Sequence, residues 1–228
     1  MFIDELFSDD FYKKLALNYA RHDAYCFGQF FWTHAYYPHE NLELWRPISD
    51  PSEPTKTIAR EFQIVSSAPD KFSRSLPLGA PPLKTNEEFL VIRAKVRPVV
   101  LIFPEIPISL NTEKEQRKVV RKRCLVAQVF SLKDTNTRQP KFSQEFVDRV
   151  RRLEYPQFMF LPEKSGLLEV DSLLRLDECQ SVFTKHLQPY QWALNNDLQD
   201  LLRGQLQALF NGDSQNTYGD YREMILNS

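Results

Sequence analysis

The sequence predicts a mainly β protein with α additions: a small, strongly bent barrel that carries a C-terminal helix. Three observations lead there. Blocks rich in β-branched and aromatic residues recur along the chain, among them "GQFFWTHAYY", "EEFLVIRAKVRPVVLIF", "RCLVAQVFSL" and "QFMFLP". Helical periodicity is confined to a few short stretches, which points to a barrel with additions and not to a helix-rich fold. The 228 residues are 42% hydrophobic and 13% aromatic, enough for a sizeable core.

The elements follow in order. Ser8 and Asp9 can cap a helix on which Phe11, Leu15 and Tyr19 fall four apart, so residues 1–27 are expected to form a helical extension. Gly28 opens an aromatic strand that Pro38 ends. Residues 38–90 hold eight prolines and only short strand-like pieces such as "REFQIVSS", the pattern of an insertion into a single domain spanning 1–228. "EEFLVIRAKVRPVVLIF" is one long strand or two joined ones, stopped by Pro104 and Pro107.

Arg123 to Leu132 forms the next strand. Ser143 then caps a short helix through "QEFVDRVRRL", with arginines crowding its C-terminal end as the helix dipole favours. "QFMFLP" and "LLEVDSLLRLDECQSV" return to strand patterning around a turn at Ser165 and Gly166. A helix follows through Leu194, Leu198, Leu201, Leu202, Gln205, Leu209 and Phe210, despite Gly204 in its interior, and the tail after Gly212 is polar and expected to be loose.

Lys and Arg number 29 against 30 Asp and Glu, so any basic site must be local. No apolar stretch is long enough to span a bilayer, and "MFIDELFSDD" is acidic where a secretory signal is basic, so the expectation is a cytoplasmic chain with no membrane contact. Cys26, Cys124 and Cys179 are odd in number and widely spaced, which favours core filler over a disulfide framework or zinc site. No Gly-rich phosphate loop, glycine-flanked serine elbow or metal-spaced histidine pair is present, so no cofactor or metal is expected.

Two features could carry chemistry. Lys114, Arg117, Lys118, Arg121, Lys122 and Arg123 form a local cation cluster, either a solvated face or a hairpin tip that tracks a phosphate backbone. Arg97 leads into the apolar run of "VRPVVLIF", and a guanidinium there must be partnered. It either staples the barrel through an internal acid or faces a cleft made for an anion.

"GQFFW", "VRPVVLI", "LVAQVFS" and "GLLEVDSLLRLDECQSV", in that order, resemble the successive strand blocks of the PemK/MazF-like family of type II toxin–antitoxin systems; Asp171 and Ser172 lie in the most specific part of the match. The resemblance covers Gly28 to Tyr37 and Leu90 to Phe210. It implies an SH3-like barrel of the PemK/MazF/CcdB type, commonly a homodimer, that cleaves single-stranded RNA without a metal and is neutralised by an antitoxin protein.

Arg97 matches the family's catalytic arginine, which holds the scissile phosphate during attack by the ribose 2′-hydroxyl. The family's catalytic threonine falls on Phe130, with Ser131 one residue later. Either a bulge turns Ser131 into the site as a second donor, or Phe130 offers a stacking face for a base. Arg93 and the 114–123 basic run would guide the strand. Gln29 stands where the family has an aspartate. The alternative is a barrel without catalysis that binds protein or RNA, as the gyrase-poisoning relatives bind their target.

Overall fold

A computed structural model describes residues 1–8, 10–36, 94–104 and 122–228, together with strands at 43–49, 57–66 and 89–91. In chain order the elements are α1 (Ile3–Leu6), β1 (Tyr12–Lys14), β2 (Gln29–Tyr36), β3 (Glu43–Ser49), β4 (Thr57–Ser66), β5 (Phe89–Val91), β6 (Ala94–Phe103), β7 (Arg123–Ser131), α2 (Gln144–Arg151), β8 (Phe158–Leu161), β9 (Ser172–Phe183), β10 (Gln188–Leu194), α3 (Asn196–Asn211) and α4 (Thr217–Leu226). The chain divides into two compact units, 1–35 with 96–228, and 36–95. The smaller unit holds a three-stranded antiparallel sheet ordered β4-β3-β5. The stretch "EEFLVIRAKVRPVVLIF" thus supplies two strands, one to each of the two sheets.

The larger unit is a seven-stranded sheet ordered β1-β10-β2-β6-β7-β9-β8, with helices added, so the mainly β expectation holds. Its central strands are buried on both faces. Val100, Ile102, Ala127 and Val129 face the main core, while Val99, Leu101, Cys124 and Val126 face a second cluster with Phe31 and Leu187. A strand with apolar packing on both sides carries no polar alternation, and this explains the unbroken run that follows Arg97.

Register shifts interrupt β6, β9 and β10, and each such bulge bends its strand and increases its twist. Backbone pairing does not close the sheet, which keeps β1 and β8 as its edges. A side chain crosses between them: the Tyr12 hydroxyl on β1 donates to the Pro162 carbonyl just beyond β8 at 2.7 Å. Burial, reinforced by the charge of Asp171, raises the Tyr12 hydroxyl well above the usual tyrosine range and keeps it a donor.

Ser143 caps α2 as expected, its hydroxyl accepting from Phe146 N at 3.3 Å. Two expectations are corrected. The stripe Phe11, Leu15 and Tyr19 is not helical: Tyr12–Lys14 pairs antiparallel with Leu194–Trp192 of β10, and Leu15 N donates to Gln191 O. An unpaired strand edge offered those backbone groups partners, and Phe11 and Tyr12 pack side by side as neighbours on an extended segment, with ring centroids 5.1 Å apart.

The polar tail is also ordered. Gly212 ends α3 in the left-handed conformation, and after a short turn Asn216 caps α4, which buries Tyr218 and Ile225. The Tyr218 hydroxyl donates to Leu153 O at 2.8 Å.

Gly204 permits this return. A Cβ there would lie 2.7 Å from Asn216 Oδ1 and 2.8 Å from Tyr218 N, so α4 could not settle on α3. Gly204→Ala should therefore destabilise the fold by roughly 1–3 kcal/mol, although alanine is the better helix former. Urea denaturation followed by circular dichroism measures this, and an unchanged or raised midpoint would show that α4 docks without that close approach.

Candidate functional site

The register between β6 and β7 pairs Val99 with Gln128, and extending that register by two residues would set Arg97 opposite Phe130 on one face of the sheet. The side chains meet there, with the Arg97 guanidinium 4.3 Å from the Phe130 ring centroid. Arg97 is 8% exposed, and Phe130 is half-buried. Guanidinium over ring is a cation–π arrangement, in which the ring takes one face of the guanidinium while its donors lie in the guanidinium plane.

The neighbouring strand adds a second arginine. Arg175 pairs in register with Gln128 on one side and Phe158 on the other, and its guanidinium lies 5.5 Å from the Phe130 centroid and 5.7 Å from that of Phe158. Two carboxylates hold it. Asp177 accepts from Nη2 at 2.6 Å and from Nε at 3.1 Å, and Glu178 lies 2.5 Å from Nη1. The Asp177 hydrogen bond, then burial working against it, leaves the Arg175 pKa above its usual value.

Glu178 has a side chain only 4% exposed, whereas that of Asp177 is 35% exposed. Two guanidinium groups, one aromatic ring and two carboxylates therefore share this face. Such a set can hold an anionic oxygen and accept a proton beside it.

Ser131 is not brought to this cluster. From Gln128 to Ser131 the ladder with β9 is regular, ending in Ser131 opposite Ser172, so Ser131 has the parity of Val129 and faces away from Phe130. Lys122 and Arg123 are exposed at the opposite end of β7, about 23 Å along the strand from Phe130. Arg123 stacks over Phe183 there, at 4.7 Å. Arg93, Lys114, Arg117, Lys118 and Arg121 lie outside the described residues.

Asp171 and Ser172 have structural roles. Asp171 accepts from Glu163 N at 3.0 Å and from Lys133 Nζ at 2.9 Å, tying the end of β7 to the segment between β8 and β9. The Ser172 hydroxyl donates to Val170 O at 2.8 Å. Cys124 and Cys179 are free thiols that burial pushes up to about 11 and about 12, which favours their protonated form at neutral pH.

Arg175, Asp177 and Glu178 join the cluster without matching any motif position in the sequence. The signal was present: three charges within four residues of a strand that is otherwise largely apolar must find partners close by. No model of a known family matches the sequence, and no curated protein matches it.

Burial raises the Asp171 pKa, but the bonds from Lys133 and Glu163 N outweigh it and leave the carboxyl below its usual value. Its contribution is thus present above the unfolded carboxyl pKa near 4 and lost as pH falls through the lower folded value. Asp171→Asn should cost roughly 1 kcal/mol at pH 7, and its gap from wild type should close in acid. Melting curves from pH 7 down to pH 3 test this; a gap independent of pH would remove the ionised carboxylate from the account.

Proposed function

We propose that this chain acts on single-stranded RNA in the manner of the PemK/MazF-like toxins, cleaving it without a metal ion, on a sheet curled as an SH3-like barrel. The observation that carries the reading is Arg97 stacked on Phe130 beside Arg175, Asp177 and Glu178. In this reading Arg97 donates to the scissile phosphate and stabilises charge as the ribose 2′-oxygen bonds to phosphorus. The bond to the 5′-oxygen breaks, leaving a 2′,3′-cyclic phosphate. Asp177, the more exposed carboxylate, accepts the 2′-hydroxyl proton, and solvent water protonates the leaving 5′-oxygen. A cytoplasmic homodimer countered by an antitoxin protein belongs to the same proposal.

A second reading is supported by Phe130 itself. Where the family carries a threonine, this chain presents a ring with no hydroxyl, and both carboxylates are engaged with Arg175. These features favour a barrel that binds RNA or a protein and leaves RNA intact.

Incubating the purified protein with mixed-sequence single-stranded RNA in EDTA separates the two. Products ending in 2′,3′-cyclic phosphate are expected, with the rate falling about 100-fold or more in Arg97→Ala and Asp177→Asn variants whose circular dichroism matches wild type. Intact RNA with wild type would support the binding module. Cleavage undiminished in the folded Arg97→Ala variant would remove the site assignment.

A further inference from the structure

The Phe130 cluster does not end at Arg175. Phe158, against which Arg175 packs, lies 5.9 Å from Tyr155 and 5.7 Å from Phe146, centroid to centroid. Phe146, on α2, is 5.8 Å from Tyr155 and 5.3 Å from Phe142, and this last pair is stacked at an interplanar angle of 29°. Arg149 lies over Tyr155 at 4.7 Å. Phe130, Phe146, Tyr155 and Phe158 are all half-buried and pack against the main core, and Phe142 at the outer end is 39% exposed. Rings and guanidinium planes thus form one continuous strip running from Arg97 across β7, β9 and β8 onto α2.

We propose that this strip is a track for single-stranded RNA, along which bases stack as the strand leaves Arg97, with Phe142 as its outer platform. The proposal rests on the reading of the Arg97 cluster as the RNA site and extends it to further nucleotides.

The chemistry favours bases over other occupants. Every base has a face that stacks on an aromatic ring or a guanidinium plane, so a strip built of both accepts any sequence. The stacked Phe142–Phe146 pair ends in a ring that is still partly open, where a base would continue the stack. The arginines are largely balanced: Glu154 faces Arg149 and Arg152, and Asp177 and Glu178 face Arg175. The strip therefore offers stacking surface more than net charge, and its hold on RNA should depend only weakly on salt.

The test is fluorescence anisotropy with labelled mixed-sequence single-stranded RNA of about 12 and about 4 nucleotides, in EDTA, with 2′-deoxy residues blocking cleavage. Wild type should bind the longer probe more tightly. Phe142→Ala should weaken the longer probe about 10-fold and the shorter one little, and Phe142→Trp should restore binding, which excludes a folding defect.

Equal binding of the longer probe by wild type and Phe142→Ala would overturn the track. If RNA is cleaved while that equality holds, the Arg97 reading survives and the track alone falls. If the Phe142 effect is seen without cleavage of ordinary RNA, the track stands and catalysis falls. Failure of wild type to bind either probe overturns the track as an RNA surface and leaves the strip to a protein partner.

Discussion

The candidate site depends on one break in a β-ladder. At the step from Ala127 to Gln128, the partner on β9 jumps from Cys179 to Arg175, leaving Leu176, Asp177 and Glu178 without partners on β7. Leu176 N donates instead to Gln157 O at 2.9 Å, and its side chain is buried, so the break is anchored at its N-terminal side. In a regular strand Arg175 and Glu178 would point to opposite faces. Only because the strand bulges can Glu178 turn back and reach the same guanidinium as Asp177. The cluster is therefore made by backbone irregularity, and a straight β9 with the same side chains would not contain it.

Curvature depends on the same kind of feature. On β10 the register shifts between Pro189 and Ala193, and the gap is filled by a side chain from β2. Gln29, fully buried, donates to Tyr19 O and Tyr190 O at 3.2 Å each and accepts from Cys26 N at 3.3 Å. A buried amide with both ends bonded holds the bend without leaving polar backbone unpaired. The opposite edges then come near enough for the Tyr12 hydroxyl to reach Pro162. Bulges bend the sheet, and side chains rather than a closed ladder hold it bent.

Legibility followed the range of the interactions involved. Strands with core on both faces, such as β6 and β7, stood out because their apolar runs record burial directly. The Ser143 cap was legible because its bond spans three residues. The segment around Tyr12 is a strand despite its helical spacing because its partner, β10, lies about 180 residues away, and spacing within the segment carries no trace of that pairing. The order of the tail is hidden from the sequence for a related reason: α4 is amphipathic only weakly, and its place is set by the clearance at Gly204. Within the site, Arg97 and Phe130 could be picked out because a charge beside an apolar run and a ring at a motif position are local anomalies. The basic run stood out too, yet its described members sit at the far end of β7, since strand length separates what sequence proximity joins.

Buried charge is the strongest physical reason to treat the Arg97 face as more than packing. Glu178 on β9 and Arg97 on β6 are both nearly inaccessible, and Gln128 is buried on β7 between those strands. Replacing such groups with apolar residues of similar volume is often neutral or stabilising, so stability alone does not account for them. The other end of the same face shows the cheaper solution: Val99, Leu101, Cys124 and Val126 close it with apolar side chains. One sheet face thus carries an apolar half and a polar half, divided at the point where β9 breaks. Local rules are broken where a protein needs a group for its chemistry or its partner, and here the polar residues, the broken ladder and the half-buried aromatic strip coincide.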